Sequence, residues 1–201
     1  MSAITEVTIR RACREDVGLV VAMLADDPLG GGRERIEDPL PQSYFTAFEA
    51  VDRDPNIQLV VAEDGDGAVV GCLQLCILPG LSSQGASRGL IEDVRVAKHC
   101  RSRGIGEQMV QWAAVEARAK GCKLVELLTH HTRVDAQRFY ERLGFARSHV
   151  GMTLRFCSAS RFRAKHALGL DRGVESGSRK ERVRTKVGQL RLKRICDECL
   201  R

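Results

Sequence analysis

The spacing of apolar residues changes repeatedly along the chain, and these changes predict alternating strands and helices. Four apolar residues from Val17 to Leu24 recur at the i, i+3, i+4, i+7 spacing of one helix face. The segments 57–63 and 68–78 are short runs rich in Val, Leu and Ile, and the Asp-Gly-Asp-Gly sequence between them predicts a hairpin. Strands are predicted at 7–11, 57–63, 68–78, 90–96, 124–129 and 150–156, and helices near 17–24, 44–51, 106–120 and 135–143.

This order of elements predicts an α/β (α+β) domain with a mixed sheet and helices packed on it. The pattern ends near residue 156, so we expect one domain at 1–156 and a separate extension at 157–201. The extension is basic: residues 158–201 carry 13 Lys/Arg and 5 Asp/Glu, a net charge of +8. The whole chain has a net charge of +6, so residues 1–157 carry a net charge of −2. A disordered or partly helical tail is the favoured interpretation, and a basic arm that binds nucleic acid, anionic lipid or a partner is the alternative.

Composition restricts the class of protein further. No apolar run approaches the 18 residues or so of a membrane span, and residues 1–11 lack the apolar core of a secretory signal, so a cytoplasmic protein is expected. The eight cysteines show no disulfide-framework spacing. The only C-x-x-C pair, Cys196 and Cys199, supplies two ligands where a structural zinc site needs four, so no metal is predicted.

The most informative segment joins the predicted strand at 90–96 to the following helix. It contains Arg101-x-x-Gly104-x-Gly106, a turn at a helix N-terminus, where backbone N–H groups and the helix dipole favour an anion. Glycines let a phosphate approach the backbone, and the arginines add charged donors. The chain has no Gly-Lys-Ser/Thr for a nucleoside-triphosphate loop, and Met109 replaces the third glycine of a dinucleotide loop.

About thirty residues further on comes the run Arg138-Phe-Tyr-Glu-Arg-Leu-Gly-Phe145, a predicted helix that ends in Gly-Phe. Together with the Arg101–Gly106 turn and the preceding Arg-Gly-Leu-Ile-Glu-Asp-Val-Arg-Val strand, this run resembles the GNAT superfamily of N-acetyltransferases, in its small bacterial-type branch. The resemblance covers about residues 5–156. It implies a mostly antiparallel sheet splayed between its fourth and fifth strands, with acetyl-CoA in the opening.

The resemblance also implies which residues contact the cofactor. The pantetheine would run along the strand, and a bulge near its middle would aim the N–H of about Val94 at the thioester carbonyl. The pyrophosphate would bind the turn. His130 stands where relatives carry an asparagine, which puts its pantetheine contact in doubt. The expected cofactor-binding residues are Val94, Arg95, Val96, Arg101, Ser102, Arg103, Gly104, Ile105, Gly106, His130, Asp135 and Phe139.

Two residues are predicted to move protons. Tyr140 matches the family's general acid, which protonates the departing thiolate; core packing is the alternative. Glu92 matches a frequent catalytic base, although it is equally suited to bind the substrate amine or to pair with Arg95, and a water relay would replace it. Asp93 is expected on the opposite strand face. His130 with His131 is a second choice for proton transfer, and a reactive Cys100 thiol is less favoured than an ordinary turn residue.

The predicted function is acetyl transfer from acetyl-CoA to a primary amine of a small molecule or peptide, by direct attack in a ternary complex. The alternative is a catalytically weak acyl-CoA sensor or a nucleic-acid-associated protein that uses the tail. A homodimer is left open. The first two helices and the loops at 28–41 and 79–87 are expected to shape the acceptor side. Their carboxylates, if not merely solvated, would favour a cationic amine, the candidates being Asp26, Asp27, Glu34, Glu37 and Asp38.

Overall fold

The computed structural model describes residues 6–27 and 31–154, in which one five-stranded sheet organises the chain. Neighbouring strands follow one another in sequence, from β1 to β5. The first three pairings are antiparallel and the last, between β4 and β5, is parallel. The strands are β1 Thr8–Arg11, β2 Ile57–Glu63, β3 Val69–Leu78, β4 Arg88–Val96 and β5 Leu124–Leu127. The predicted fold class, a mixed and mostly antiparallel sheet with flanking helices, is confirmed.

The predicted helices are present, within one or two residues of their expected positions. A single helical turn, α3, interrupts the loop before β4, and two 3-10 turns stand at Arg14–Asp16 and Lys98–Cys100. The glycine pattern in the sequence also predicts the end of the helix Ile105–Ala119: Gly121 follows it as a C-terminal cap, with its N–H donating to the Arg118 carbonyl. The helices are α1 Val17–Ala25, α2 Gln42–Arg53, α3 Ser82–Gly85, α4 Ile105–Ala119 and α5 Val134–Arg142.

Helices cover both faces of the sheet. On one face α4 contributes Met109 and Ala113 to the larger core, where they pack with Leu73, Leu75 and Ile91. On the other face α1 and α2 cover a smaller cluster that includes Val20, Met23, Val61 and Cys72. Burying such an apolar side chain stabilises the fold by about 1.5–3 kcal/mol. Helices therefore pack on both faces of the sheet. The larger core includes Ile91 of β4, with Val125 and Leu127 of β5 packed against it, and so fixes the β4–β5 end of the sheet.

The strand predicted at 150–156 is wrong for the residues that the structure describes. Residues 145–154 contain no strand, and Phe156 lies outside the described part of the chain. Val150 and Met152 are 90% and 95% exposed, so their alternation with polar residues does not reflect a buried face. The segment passes Leu128, since a Cβ on Gly151 would lie 3.0 Å from Leu128 Cδ2. However, β5 has already ended at Leu127 and offers no strand to pair with at that point.

The basic extension at 157–201 also lies outside the described residues. Residues up to Thr153 form one compact unit, and the functional site is contained in it. Of the helices in residues 6–27 and 31–154, none is both long and apolar enough to cross a membrane.

A buried ion pair next to β1 gives a prediction about stability. Asp16 is 5% exposed and accepts hydrogen bonds from Arg10 Nη1 at 2.6 Å, Arg10 Nη2 at 3.0 Å and the Cys13 N–H at 2.8 Å. The Arg10 guanidinium, assisted by Cys13, lowers the pKa of Asp16 to about 2. We expect Asp16→Asn to lower the free energy of unfolding by about 2 kcal/mol at pH 7, from a pKa shift of roughly two units.

Urea unfolding at several pH values tests this. Because the folded pKa is depressed, the contribution is complete above the unfolded pKa near 4 and is lost as pH falls towards 2, so wild type and variant should converge in acid. Asp52→Asn is the control: Asp52 is 57% exposed and 3.9 Å from Arg11, and its loss should cost less than about 1 kcal/mol. Equal losses in the two variants would contradict the assignment.

Candidate active site

The parallel pairing between β4 and β5 stops halfway along β4. The last paired residues are Ile91 and Leu127, whereas β4 continues to Val96. Beyond this point the two strands separate, as the predicted splay requires, and a cavity of about 550 Å³ opens between them. Its size lies in the range of small-molecule sites. The opening places the second half of β4 along the cavity wall.

A bulge lies at the start of this half of β4. Cys72 on β3 is opposite Arg95 and Gln74 is opposite Glu92, so the two residues Asp93 and Val94 face the single residue Leu73. Asp93 takes the left-handed conformation, with φ of 51°. The bulge occurs where the resemblance implied it. It interrupts the alternation on which the opposite-face prediction for Asp93 rested, and both Glu92 and Asp93 are exposed.

The turn into α4 forms one end of the cavity. Ser102 and Gly104 have positive φ of 62° and 80°, and Gly104 is the residue that caps α4. Glycine adopts this conformation without strain, whereas a branched residue does not. The N–H groups of the first helical turn have no acceptor within a helix, so this end of α4 is suited to an anion. Five residues of the turn line the cavity: Arg101, Ser102, Gly104, Ile105 and Gly106.

Arg101, predicted to bind the pyrophosphate, is held by other groups. Its Nη2 lies 2.7 Å from Asp26 Oδ2, and its Nε donates to the Val96 carbonyl at 3.2 Å. These contacts tie the turn to the end of α1 and to the end of β4. Arg101 still lines the cavity, and a ligand phosphate there would compete with Asp26 for the guanidinium.

Tyr140 is positioned by the Gly-Phe sequence that ends α5. Gly144 has φ of 91°, and the Phe145 N–H donates to the Tyr140 carbonyl at 3.1 Å. This is a Schellman ending, in which the residue after the glycine packs on the last turn of the helix. The Phe145 ring accordingly lies edge-on to Tyr140, with centroids 5.8 Å apart, and Phe139 lies at 5.1 Å. Burial raises the pKa of Tyr140, with Arg133 and Arg95 opposing the shift.

Glu92 lies on the α1/α2 face of β4 and lines the same cavity as Tyr140. Gln74 Nε2 donates to its Oε2 at 3.3 Å, and Cys76 Sγ is 3.8 Å from the same oxygen. Its side chain is otherwise open to solvent, so a water molecule has room to approach the carboxylate. The structure therefore brings the two predicted catalytic residues to one cavity.

Three predicted cofactor residues are not among the residues that line the cavity, namely Arg103, His130 and Asp135. His130 Nδ1 lies 2.8 Å from Thr132 Oγ1, and its ring lies 4.3 Å from that of His131. The Asp135 side chain is fully exposed, with Arg138 at 3.8 Å. The other predicted cofactor residues line the cavity: Val94, Arg95, Val96, Arg101, Ser102, Gly104, Ile105, Gly106 and Phe139.

A charged cluster beside the cavity was not predicted from the sequence. Asp27 follows α1, its side chain is 4% exposed, and its Oδ2 lies 3.2 Å from Arg95 Nη2 and 3.4 Å from Arg133 Nη1. Arg95 and Arg133 come from β4 and from the start of α5, so the cluster joins three distant segments. No spacing in the sequence relates these positions. The one sequence feature that pointed to the cluster was the position of Arg133, directly before the helix that carries Tyr140.

Four of the five acidic residues expected to attract a cationic amine have partners of their own. Asp26 pairs with Arg101, Asp27 with two arginines, and Glu37 with Arg35. Glu34 accepts a hydrogen bond from the Tyr44 hydroxyl at 2.9 Å. Three of the five carboxylates are therefore paired with arginines, which weakens the cationic-amine expectation for those three, whereas the neutral Tyr44 hydroxyl leaves the charge of Glu34 in place.

Cys100 lines the cavity as a mostly buried side chain. Cys100 is 5% exposed and belongs to the larger core, as expected for an ordinary turn residue. Within residues 6–27 and 31–154, no group of three or more His, Cys, Asp or Glu side chains is arranged to hold a metal ion.

A splayed sheet, a bulged strand and a glycine-containing turn at a helix N-terminus are the features that the resemblance implied, and they meet at one cavity with a tyrosine. Comparison with known proteins agrees: the model of the acetyltransferase (GNAT) family matches residues 20–145. The chain belongs to this family, and it is an acyltransferase with acetyl-CoA as its acetyl donor. The resemblance inferred from the sequence motifs is thereby confirmed.

The chain is similar to two curated N-acetyltransferases and to one solved structure at 48% identity. Aminoalkylphosphonate N-acetyltransferase from Salmonella typhimurium is 34% identical over 146 residues, which is 72% of this chain and 88% of the relative. Glucosamine 6-phosphate N-acetyltransferase from Trypanosoma brucei brucei is 36% identical over 79 residues, 39% of this chain and 52% of the relative. A solved structure described as a transcriptional regulator from Bacillus halodurans C-125 is 48% identical, with a TM-score of 0.73, over 75% of this chain and 100% of that chain.

Proposed function

We propose that the protein transfers the acetyl group of acetyl-CoA to the primary amine of a small molecule, by direct attack while both substrates are bound. The observation that carries this proposal is the cavity at the β4–β5 splay, whose wall contains the α4 turn, the β4 bulge, Tyr140 and Glu92. The two curated relatives are named for small amine substrates, which favours a small molecule over a peptide.

The residues present fit acetyl-CoA. The turn at Ser102 and Gly104 has the backbone conformation and the free helix end that a pyrophosphate needs. Among the described residues, no strand pairs with the second half of β4 on the β5 side, so backbone groups there can bind the pantetheine amides. The Val94 and Val96 carbonyls already accept one hydrogen bond each, from Arg95 and Arg101. Acetyl-CoA supplies an activated acetyl group, and the bulge at Val94 is our candidate for a backbone donor to its carbonyl oxygen.

Tyr140 is the proposed general acid. Burial raises its pKa above the usual value, so the phenol holds its proton at neutral pH and is available to the departing thiolate. The guanidiniums of Arg95 and Arg133 lower that pKa in part, since they stabilise the phenolate that proton transfer leaves behind. Burial thus keeps Tyr140 protonated before the reaction, and the two guanidiniums make it easier for the phenol to lose its proton during the reaction.

Glu92 is the proposed route for the proton that the attacking amine must lose. An amine attacks only when neutral, and the exposed carboxylate at the cavity wall accepts a proton directly or through a water molecule. The hydrogen bond from Gln74 fixes one carboxylate oxygen and leaves the other for this role.

A second function is favoured by one observation: the 48% identical structure from Bacillus halodurans is described as a transcriptional regulator. On this hypothesis the chain is a catalytically weak sensor that binds acetyl-CoA as a signal and acetylates small amines only slowly. A homodimer and a nucleic-acid contact through residues 157–201 are further proposals attached to it.

The full-length protein with acetyl-CoA and a panel of primary amines separates the two functions. We expect free thiol to appear only with some amines, in equal amount to an N-acetylated product identified by mass spectrometry. The comparison is a panel of matched alcohols, which should release no thiol. Tight binding of acetyl-CoA with no product from any amine would favour the regulator.

A further inference from the structure

Two arginines in the cavity wall share a single carboxylate oxygen. Arg95 Nη2 and Arg133 Nη1 both approach Asp27 Oδ2, at 3.2 and 3.4 Å. We propose that the acceptor is a small amine that also carries a phosphonate or phosphate group, and that Arg133 binds this oxyanion. The proposal rests on the acetyltransferase function above and adds the chemical class of the substrate.

The net charge of the cluster of Asp27, Arg95 and Arg133 favours an anionic ligand. Two guanidiniums surround one buried carboxylate, so the cluster has an excess of positive charge in a partly enclosed cavity. Such a charge is stabilised when an anion accompanies it. The cavity has three other carboxylates, on Glu92, Asp93 and Glu107, and all three side chains are exposed to solvent. Two of them already accept hydrogen bonds, Glu92 from Gln74 and Glu107 from Gln111.

The number of N–H donors on the two guanidiniums also favours an anionic ligand. A guanidinium has five N–H donors in a planar fork, which matches two oxygens of a phosphonate or phosphate. Arg95 donates to the Val94 carbonyl and to Asp27, and its Nε is buried without a hydrogen-bond partner among the described residues. The Arg133 side chain is 38% exposed against 15% for Arg95. Arg133 is thus the guanidinium that an incoming oxyanion meets, and Arg95 lies behind it.

The backbone fixes Arg133 before any ligand arrives. Its N–H donates to the His130 carbonyl at 2.9 Å, and its carbonyl accepts from the Gln137 N–H at 3.0 Å, at the start of α5. Asp27 then orients the side chain. A pre-oriented donor loses little freedom on binding, so its contribution to affinity is large for one residue.

The cluster also lies close to the proposed reaction centre. Arg133 and Arg95 are the charged groups that act on Tyr140, and both lower its pKa. An anion bound at Arg133 therefore lies within electrostatic range of the phenol. This requires the amine and the oxyanion of the acceptor to be separated by only a few bonds, as in a short aminoalkylphosphonate.

Steady-state kinetics with three amines of similar length test the proposal: 2-aminoethylphosphonate, β-alanine and propylamine. We expect kcat/KM to be roughly tenfold to a hundredfold higher for the phosphonate than for propylamine, the range for a hydrogen-bonded ion pair. Arg133→Gln should lower the ratio of kcat/KM for the phosphonate to kcat/KM for propylamine by a similar factor, because any effect of the variant on Tyr140 is common to both amines and cancels in the ratio. Arg138→Gln is the matched control, because Arg138 lies on the same helix, is 68% exposed and faces Asp135 outside the cavity.

Each outcome decides the question. Equal kcat/KM for phosphonate and propylamine in the wild type would overturn the proposal and leave the acetyltransferase function intact. A preference for β-alanine over the phosphonate would replace the phosphorus oxyanion by a carboxylate and so overturn the stated class. The wild-type comparison stands even if Arg133→Gln fails to fold, and Arg133→Lys, which keeps the charge without the fork, then serves as the variant.

A binding measurement separates failure of this proposal from failure of the function. Calorimetric titration of 2-aminoethylphosphonate into the protein with coenzyme A should show binding that Arg133→Gln abolishes. Such binding without acetylation of any amine would overturn the acetyltransferase function while the anion site stands. The absence of both binding and acetylation would overturn both.

Discussion

Replacing Tyr140 with phenylalanine is expected to lower kcat by about a hundredfold, the lower end of the range for loss of a general acid. The substitution removes one hydroxyl and keeps the ring, so the edge-on contacts with Phe139 and Phe145 remain. Acetyl-CoA affinity should change little. Steady-state kinetics with the best amine, together with calorimetry of acetyl-CoA, measure the two quantities separately.

The chain provides a matched control, since it has two tyrosines. The Tyr44 hydroxyl hydrogen-bonds Glu34 and the Arg35 N–H and lies outside the cavity wall. Tyr44→Phe should therefore retain kcat. Wild-type kcat in Tyr140→Phe would show that Tyr140 is a packing residue, the alternative that the sequence left open.

Gly104→Val is expected to weaken acetyl-CoA binding by more than tenfold. Gly104 has φ of 80° at the start of α4, and a branched side chain there strains the turn and adds bulk where a phosphate approaches the N–H groups. Calorimetric titration of acetyl-CoA into the folded variant measures the loss.

Gly67→Val is the control for the backbone strain that a branched side chain causes at a positive φ. Gly67 has φ of 79°, nothing lies within 4 Å of where its Cβ would be, and it stands in the β2–β3 hairpin outside the cavity wall. Gly67→Val should therefore lose stability like Gly104→Val and keep its acetyl-CoA affinity. If both variants bind acetyl-CoA as tightly as wild type, the α4 turn is not the phosphate site.

Local patterns in the sequence predicted most of the fold because each reports on nearby backbone. The apolar stripe of α1, the hairpin between β2 and β3 and the glycine after α4 depend on contacts within a few residues. The strand predicted at 150–156 failed for the opposite reason. Its alternation of apolar residues was correct as a pattern, but a strand also needs a partner, and β5 ends before the segment begins.

The candidate site divides in the same way. The α4 turn and the helix of Tyr140 are continuous motifs, and the structure brings both to one cavity. The cluster of Asp27, Arg95 and Arg133 joins three segments that no sequence spacing connects, and so it emerged only from the folded chain. The cluster also bears on the cationic-amine expectation, because Asp27, one of the carboxylates named for it, is paired with Arg95 and Arg133.

The most direct test of direct acetyl transfer is a single-turnover experiment with acetyl-CoA labelled in its acetyl group. Excess full-length protein is mixed with this donor, with or without 2-aminoethylphosphonate, and the label is followed on the amine, on the protein and on coenzyme A. We predict that label passes to the amine at the rate of thiol release and that none is found on the protein when the amine is left out. Release of thiol without labelled amine, or label on the protein before the amine is added, would contradict direct transfer in a ternary complex.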